Sequence, residues 1–475
     1  MIRIPAILAL SLFTTTAMAD EGAIPFPDPL PTPEFNLPEA SMHTLSNGLQ
    51  VRIVENHEVP LWTARLVLRG GSGADPAGKE GLASVTLDLM DDGTTNRSAS
   101  DISRTIKALG SSLSTGASLD SATVSASGIV RNIGPTLDIM ADVALNPTFP
   151  ASEWEIVQAQ RIADATAKLE NPDVVGREAF YKQLYGGTYQ GNVTTADSYA
   201  SITTADMQAW HAERFHPNNA LVLIGGDVTP DEVIPMLEER LGGWQASDTD
   251  AADATVDVEV PEGSVMYFID KPGAAQSVIR LGGFVGQRTD SDYYDLLIGN
   301  AAFGGAFTAR VNMNLREDKG YTYGARCRAW YPEGPGVFFC STSVRTDATG
   351  ASLIELRKEL TDVVGDRPID ADEVAYYVSS EVNGYPSQYE TTGAVLGEHA
   401  DIWLHGLPED WQSRYLPGVQ AVTAESANAA LTSHIQPDRL IWTVVGDREA
   451  VYADLESFGL PIVELDRMGN PIQGN

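Results

Sequence analysis

A chain of 475 residues has room for two or more domains with substantial cores. Its 31 Lys and Arg against 65 Asp and Glu leave a net charge of −34, which excludes a phosphate-binding surface and so excludes nucleic acid as a partner. The acidity suits solubility in a salty exterior, or alternatively a basic peptide substrate.

The chain opens Met1-Ile-Arg3, runs apolar from Ile4 to Phe13 and reaches Ala17-Met18-Ala19. That order predicts a secretory signal over residues 1–19. No later apolar run approaches the roughly 18 residues that span a bilayer, and no Cys follows the signal to carry a lipid. A periplasmic or secreted protein without a membrane span is expected. After a Pro-rich entry from Pro25 to Pro38, alternation predicts strands at 50–54 and 62–68, then a helix at 81–90. Paired strands follow at 109–116 and 121–128, with helices starting at Ile133, Ala151 and Val174. Residues 186–191 form a loop, and the apolar run 220–227 is a buried strand.

The second half repeats the order, with strands at 265–269 and 276–282 and a helix at 293–302. Residues 369–374 open a helix with acids at its N-terminus, as 149–154 do, and 439–447 echo the earlier Gly-Gly-Asp strand. Residues 246–261 are acidic, rich in Ala, Asp and Thr, and lack a helical face. They predict a linker between an N-terminal unit at 20–245 and a C-terminal unit at 262–475. The expected architecture is α+β, two homologous domains that each pack an antiparallel-rich sheet against helices.

Within the second half, Gly304-Gly305 precedes a helix-like run, then Arg316-Glu-Asp-Lys-Gly320 turns the chain into β-prone Tyr321-Thr-Tyr323. Folding back there would aim the Arg316 guanidinium and the Tyr323 phenol at one carbonyl oxygen that becomes anionic in reaction. The structural alternative pairs Arg316 with a surface acid and half-buries Tyr323 in a sheet. The two cysteines, Cys327 and Cys340, flank a turn centred on Glu333-Gly334, so a hairpin sets them opposite each other. In an oxidising compartment they should close a disulfide; two unconnected core thiols are the alternative.

The wording of this stretch, a Gly-Gly, a helix with a basic residue, Leu-Arg-Glu, a Lys-Gly turn and a Tyr, resembles the C-terminal-domain signature of the pitrilysin/insulinase-type zinc metallopeptidases. The resemblance covers nearly the whole mature chain. It implies two halves facing each other like a clam, with extended peptide added as a strand to a sheet edge. It also implies that Arg316 and Tyr323 hold the scissile peptide at the zinc site of a separate domain.

Peptide-cutting members carry His-x-x-Glu-His on the first-half helix, two imidazoles for zinc and a glutamate to activate water. Here the frame Gly81-Leu-Ala83 and Gly93-Thr94 surrounds other residues. Ser84 and Asp88 take the histidine positions, Leu87 takes the glutamate's, and the third ligand falls near Asp164. No metal is therefore expected in this chain. Asp88 with Asp164 would form only a weak oxygen site, better suited to calcium or magnesium. His211 and His216 sit off a common helical face, and no Ser-His-Asp order or Cys nucleophile stands out.

The resemblance implies the zinc-free subunit of an exported heterodimer, inactive alone, because some family pairs divide the zinc motif and the Arg/Tyr pair between subunits. The partners then expected are a homologous subunit that carries the zinc and an extended peptide. A purely structural or peptide-holding protein, and an autonomous peptidase with a different site, are the alternatives.

Overall fold

The structure, a computed structural model, describes residue 35 and residues 37–247 and 258–472. The expected signal and most of the expected linker lie outside the described residues.

Among the described residues, twelve strands form two six-stranded sheets. The first contains β1 (Ser41–Thr44), β2 (Gln50–Glu55), β3 (Leu61–Arg69), β4 (Ser112–Ala117), β5 (Ser121–Ile129) and β6 (Ala220–Gly226). The second contains β7 (Val265–Asp270), β8 (Gln276–Val285), β9 (Thr322–Trp330), β10 (Gly336–Arg345), β11 (Ile441–Gly446) and β12 (Ile462–Leu465). Their orders are β1-β2-β6-β3-β5-β4 and β12-β7-β11-β8-β10-β9.

The α+β architecture expected from the sequence is the one that forms, and the two sheets share a plan. Each contains a corresponding parallel pair (β2 with β6, β7 with β11) whose central strand has an antiparallel neighbour on its other side (β3, β8). The central strands β6 and β11 are buried at every position, which explains their unbroken apolar runs. Gly226 ends β6 at φ +123°, where a Cβ would lie 2.1 Å from the Leu61 carbonyl oxygen, so only glycine fits. The halves differ at one edge. β1 lies antiparallel to β2 before it in sequence, whereas β12 joins β7 in parallel at the chain's end. Neither edge strand was expected, because Ser41–Thr44 is nearly all exposed and Ile462–Leu465 is too short to show a period.

Each sheet packs one face on helices of its own half. Trp62, Leu66, Leu68, Val222 and Ile224 share one core with the helices that follow them, and Phe268, Leu281, Trp442 and Val444 share another. The opposite faces are covered by exchange. The helix Pro172–Tyr185 of the first half places Val175 and Ala179 on Val278 and Val445 of the second sheet. The helix Thr392–Leu404 of the second half places Val395, Leu396 and Ala400 on Val54, Val67, Leu221 and Leu223 of the first. Polar contacts fasten the exchange. Arg52, nearly buried, reaches Glu409 at 2.6 Å, Arg69 donates to the Trp403 carbonyl at 2.8 Å, and the Tyr185 hydroxyl donates to the Pro335 carbonyl at 2.8 Å.

The helix expected before Arg316 is interrupted. A helix at Tyr293–Asn300 widens to a π-turn at Ala301–Gly305, and after a short α-helical segment at Arg310–Asn312 a second π-turn spans Met313–Asp318.

Candidate functional site

The helix that would carry a metal motif is Leu82–Leu89. Its N-terminus is capped from outside by Asp75, whose Oδ2 and Oδ1 accept from the Gly81 and Ala83 amides at 2.7 and 2.8 Å. Burial pushes the Asp75 carboxyl up to about 6 despite those bonds. Leu87 is fully buried in the first core. Ser84 and Asp88, four apart and so on one helical face, are partly exposed.

Asp88 forms an ion pair with Arg161 of the helix Ala151–Ala167. Burial lowers the Arg161 pKa, but the hydrogen bond and charge of Asp88 outweigh it and raise the group overall. Asp164 is exposed and accepts from Gln160 on its own helix at 2.8 Å. The two carboxylates thus have different hydrogen-bond partners, and the charges of both act on Arg161. Zinc does not fit these residues. A hydroxyl, a core leucine and a carboxylate neutralised by guanidinium present neither imidazole nor a free base. Arg161 supplies the positive charge that Asp88 needs, a role the sequence reading missed although the residue lies one helical turn before Asp164. Among the described residues, no three His, Cys, Asp or Glu side chains gather as a metal group.

Arg316 and Tyr323 are displayed at the opposite end of the second sheet's hairpin. The Arg316 guanidinium lies 4.5 Å from the ring centroid of Phe307 and reaches Glu317 only at 3.5 Å. Arg326 approaches the same ring at 5.6 Å. Tyr323 is 92% exposed and Phe307 51%. A half-buried sheet position for Tyr323 does not form, and the cause is a β-bulge. Between Thr342↔Ala325 and Val344↔Thr322 the register shifts, so Tyr323 and Gly324 together face Ser343. That extra residue turns Tyr323 away from the core side shared by Ala325 and Cys327. Two hydroxyls hold the bulge. Thr322 Oγ1 accepts from the Gly324 amide at 3.0 Å and donates to the Ser343 carbonyl at 2.8 Å, and Thr342 Oγ1 donates to the Gly324 carbonyl at 3.0 Å.

Farther along the hairpin Cys327 and Cys340 stand in register and are joined as a disulfide. Gly304 packs directly against it; a Cβ there would lie 2.5 Å from Cys327 Sγ, which gives the Gly-Gly pair a packing reason. Arg310, on the turn before Arg316, is by contrast tied down by Glu373 and by the carbonyls of Arg367 and Pro368.

Two cavities lie along the exchanged helix Thr392–Leu404. One of about 420 Å³ is walled by Arg65, hydroxyl side chains of β3 to β5, and Asp401. The other, of about 620 Å³, is walled by β9 from Cys327 to Trp330, by Tyr331, Tyr293 and Tyr377, and again by Asp401. A further groove runs over β4 at Ser114–Ser118 and over Ser121, Thr123 and Ser125 of β5. His211 stacks on Phe215 and bonds the Ala144 carbonyl at 2.8 Å, and His216, also partly buried, faces the Gln245 carbonyl at 3.4 Å. His399 meets the Pro38 carbonyl, and His405 pairs with Asp401 at 3.2 Å.

Residues 50–196 match the family model for insulinase, peptidase family M16, and residues 201–380 match that for the peptidase M16 inactive domain. The non-peptidase homolog YmxG of Helicobacter pylori is 19% identical over 86% of this chain and 95% of its own length. An uncharacterized zinc protease of Mycobacterium leprae is 23% identical over 59% of this chain, and the chain spans only 63% of that protein's length. The crystal structure of a peptidase M16 inactive domain from Pseudomonas fluorescens superposes with a TM-score of 0.79 at 22% identity, covering 86% of this chain and 98% of that one. At that identity the likeness speaks to the fold alone. Two adjoining family models that together match most of residues 50–380 lead to one conclusion: the chain belongs to the insulinase family, peptidase M16, and is a member without the zinc motif.

Proposed function

We propose that the chain is the zinc-free subunit of an exported heterodimeric metallopeptidase, holding extended peptide and presenting Arg316 and Tyr323 to the reaction on a homologous partner that carries the zinc. One contrast carries this reading. The metal positions are closed by Leu87 and by the Asp88–Arg161 pair, while Tyr323 is exposed and the half-exposed Arg316 lies against the exposed ring of Phe307. The exposed edge of β4 and the groove over it suit a peptide bound as an added strand. The N-terminal sequence and the disulfide are consistent with export.

A guanidinium and a phenol stabilise a carbonyl oxygen more as it becomes anionic than while it is neutral, so they lower the barrier rather than merely bind. Losing one such donor typically costs about 3 kcal/mol, on the order of a hundredfold in rate. The chain alone should therefore bind no stoichiometric zinc and cut no peptide, whereas mixing it with a subunit bearing intact His-x-x-Glu-His should give cleavage. In that pair Arg316→Ala or Tyr323→Phe should lower kcat about a hundredfold with assembly intact. Arg310 is unsuitable as a control because of its ties to Glu373; Arg328→Ala, exposed and farther along β9, serves better. Chelator-sensitive cleavage by the chain alone, or full turnover by both variants in an assembled pair, would overturn the reading.

A further inference from the structure

Arg65 lies mid-strand in β3, on the face turned away from the first half's own core and beneath the helix Thr392–Leu404. Glycines of that helix make room for it; a Cβ at Gly397 would come within 3.3 Å of its Nη1. The guanidinium lines the cavity of about 420 Å³, where the neighbouring walls are hydroxyls of Thr63, Ser114, Thr123 and Ser125. Among the described residues no carboxylate pairs with it, and burial lowers its pKa without a neighbouring acid to offset the effect. Asp401, the acid in the same wall, is bound by Arg288 and His405.

The second sheet supplies an internal comparison. Arg280 on β8 sits opposite Ser341 and Thr443, as Arg65 sits opposite Ser125 and Leu223. The helix over Arg280 reads Val174-Val-Gly-Arg-Glu-Ala179, and the helix over Arg65 reads Val395-Leu-Gly-Glu-His-Ala400. Around Arg280 the space is filled, with the rings of Phe339 and Phe180 at 5.1 and 6.0 Å. In the first half Thr123 takes the register place of Phe339, and Asp401 takes the helix place of Phe180. Arg280 is enclosed by these rings and shares a hydrogen bond with Tyr181. Arg65 keeps an open, hydroxyl-lined space instead.

We propose that this cavity is a carboxylate-binding subsite in which Arg65 and the surrounding hydroxyls take the C-terminal carboxylate of an extended peptide. The proposal rests on the peptide-holding reading above. A planar guanidinium offers paired N–H donors that match a carboxylate. Ser114 lines both this cavity and the groove along β4, so the two are continuous. A strand added beyond β4 would lie three strand spacings, about 14 Å, from β3. No acidic side chain on that strand spans such a gap, whereas a chain end turning inward over the sheet can. This distance favours a terminus over an internal Glu.

The test is binding of labelled extended peptides to the purified full chain by fluorescence anisotropy, each made with a free C-terminal acid and with a C-terminal amide. The acid form should bind at least about tenfold tighter, a gap of about 1.4 kcal/mol. Arg65→Met should bring the acid peptide down to the amide's affinity, and Arg65→Lys should keep part of the preference. N-acetylglycine, a minimal C-terminus, should raise the Tm of the wild type but not of Arg65→Met. Equal binding of acid and amide by the wild type, or a preference that survives Arg65→Met, overturns the subsite and leaves peptide holding intact. A preference that follows an internal Glu and ignores the terminus also overturns it. Stabilisation by N-acetylglycine through Arg65 with no peptide bound supports the pocket and overturns peptide holding. If Arg65→Met does not fold, the acid-against-amide comparison in the wild type and in Arg65→Lys decides.

Discussion

Asp401 faces both cavities of the exchanged helix and is held between Arg288 and His405. Burial alone would raise its pKa; the hydrogen bond from His405 and the charge and hydrogen bond of Arg288 outweigh it and bring Asp401 down to about 2. A carboxyl whose pKa is lower folded than unfolded stabilises above the unfolded value, ordinarily 3.8, and loses that contribution as pH falls toward 2. The full shift corresponds to at most about 2.5 kcal/mol, and solvent screening of a side chain one-third exposed reduces it. Asp401→Asn should therefore lower stability by about 1–2 kcal/mol at pH 6, and the gap to wild type should narrow between pH 4 and pH 3. Denaturant melts of both proteins across that range check it, and parallel pH curves would refute it. Asp75, raised to about 6, acts with the opposite sign, since ionising it as pH rises costs stability. It is present in both proteins and cancels in the comparison.

At the scale of elements, the bulge in β9 shows where sequence reading succeeds and where it stops. The hairpin and the pairing of Cys327 with Cys340 follow from two β-prone arms around Glu333-Gly334. The exposure of Tyr323 does not follow from period-two alternation, which would set it on the same side as buried Ala325 and Cys327. One extra residue reverses that placement, and its hydrogen bonds come from Thr322 and Thr342, which look like ordinary β-formers in the sequence. Arg161 was illegible for a similar reason. Nothing local marks a guanidinium as the partner of an aspartate 73 positions earlier. Core strands were legible because burial on both faces leaves no room for polar residues, whereas β1 and β12 lack that constraint. Thr322→Val should cost about 1 kcal/mol by leaving the Gly324 amide without its acceptor. Hydrogen exchange should then quicken at Gly324 and remain slow at Cys327 and Cys340. Unchanged protection at Gly324 would show that the bulge does not depend on Thr322.

For the whole molecule, the described residues from 37 onward form one compact unit because each sheet borrows a helix from the other half. Without Thr392–Leu404, the first sheet exposes Val54, Val67, Leu221 and Leu223. At about 1.5–3 kcal/mol for each buried side chain, that loss rivals the roughly 5–15 kcal/mol that stabilises a typical protein. A fragment ending at residue 247 should bind hydrophobic dye and aggregate, whereas co-producing it with residues 258–475 should yield a soluble complex that purifies together. A monomeric 1–247 fragment that unfolds cooperatively would show that the exchange is dispensable.

The same exchange also sets a schedule. The first sheet is complete once β6 ends at Gly226, but the helix that seals it ends at Leu404, about 180 residues later. Produced without residues 1–19, so that folding accompanies synthesis at about 5–20 residues per second, the chain waits on the order of 10–40 s. Through that interval the nascent first half carries an unsealed apolar face and needs a temporary cover. Slowing elongation between residues 227 and 404 should therefore lower the yield of soluble protein more than equal slowing before residue 227.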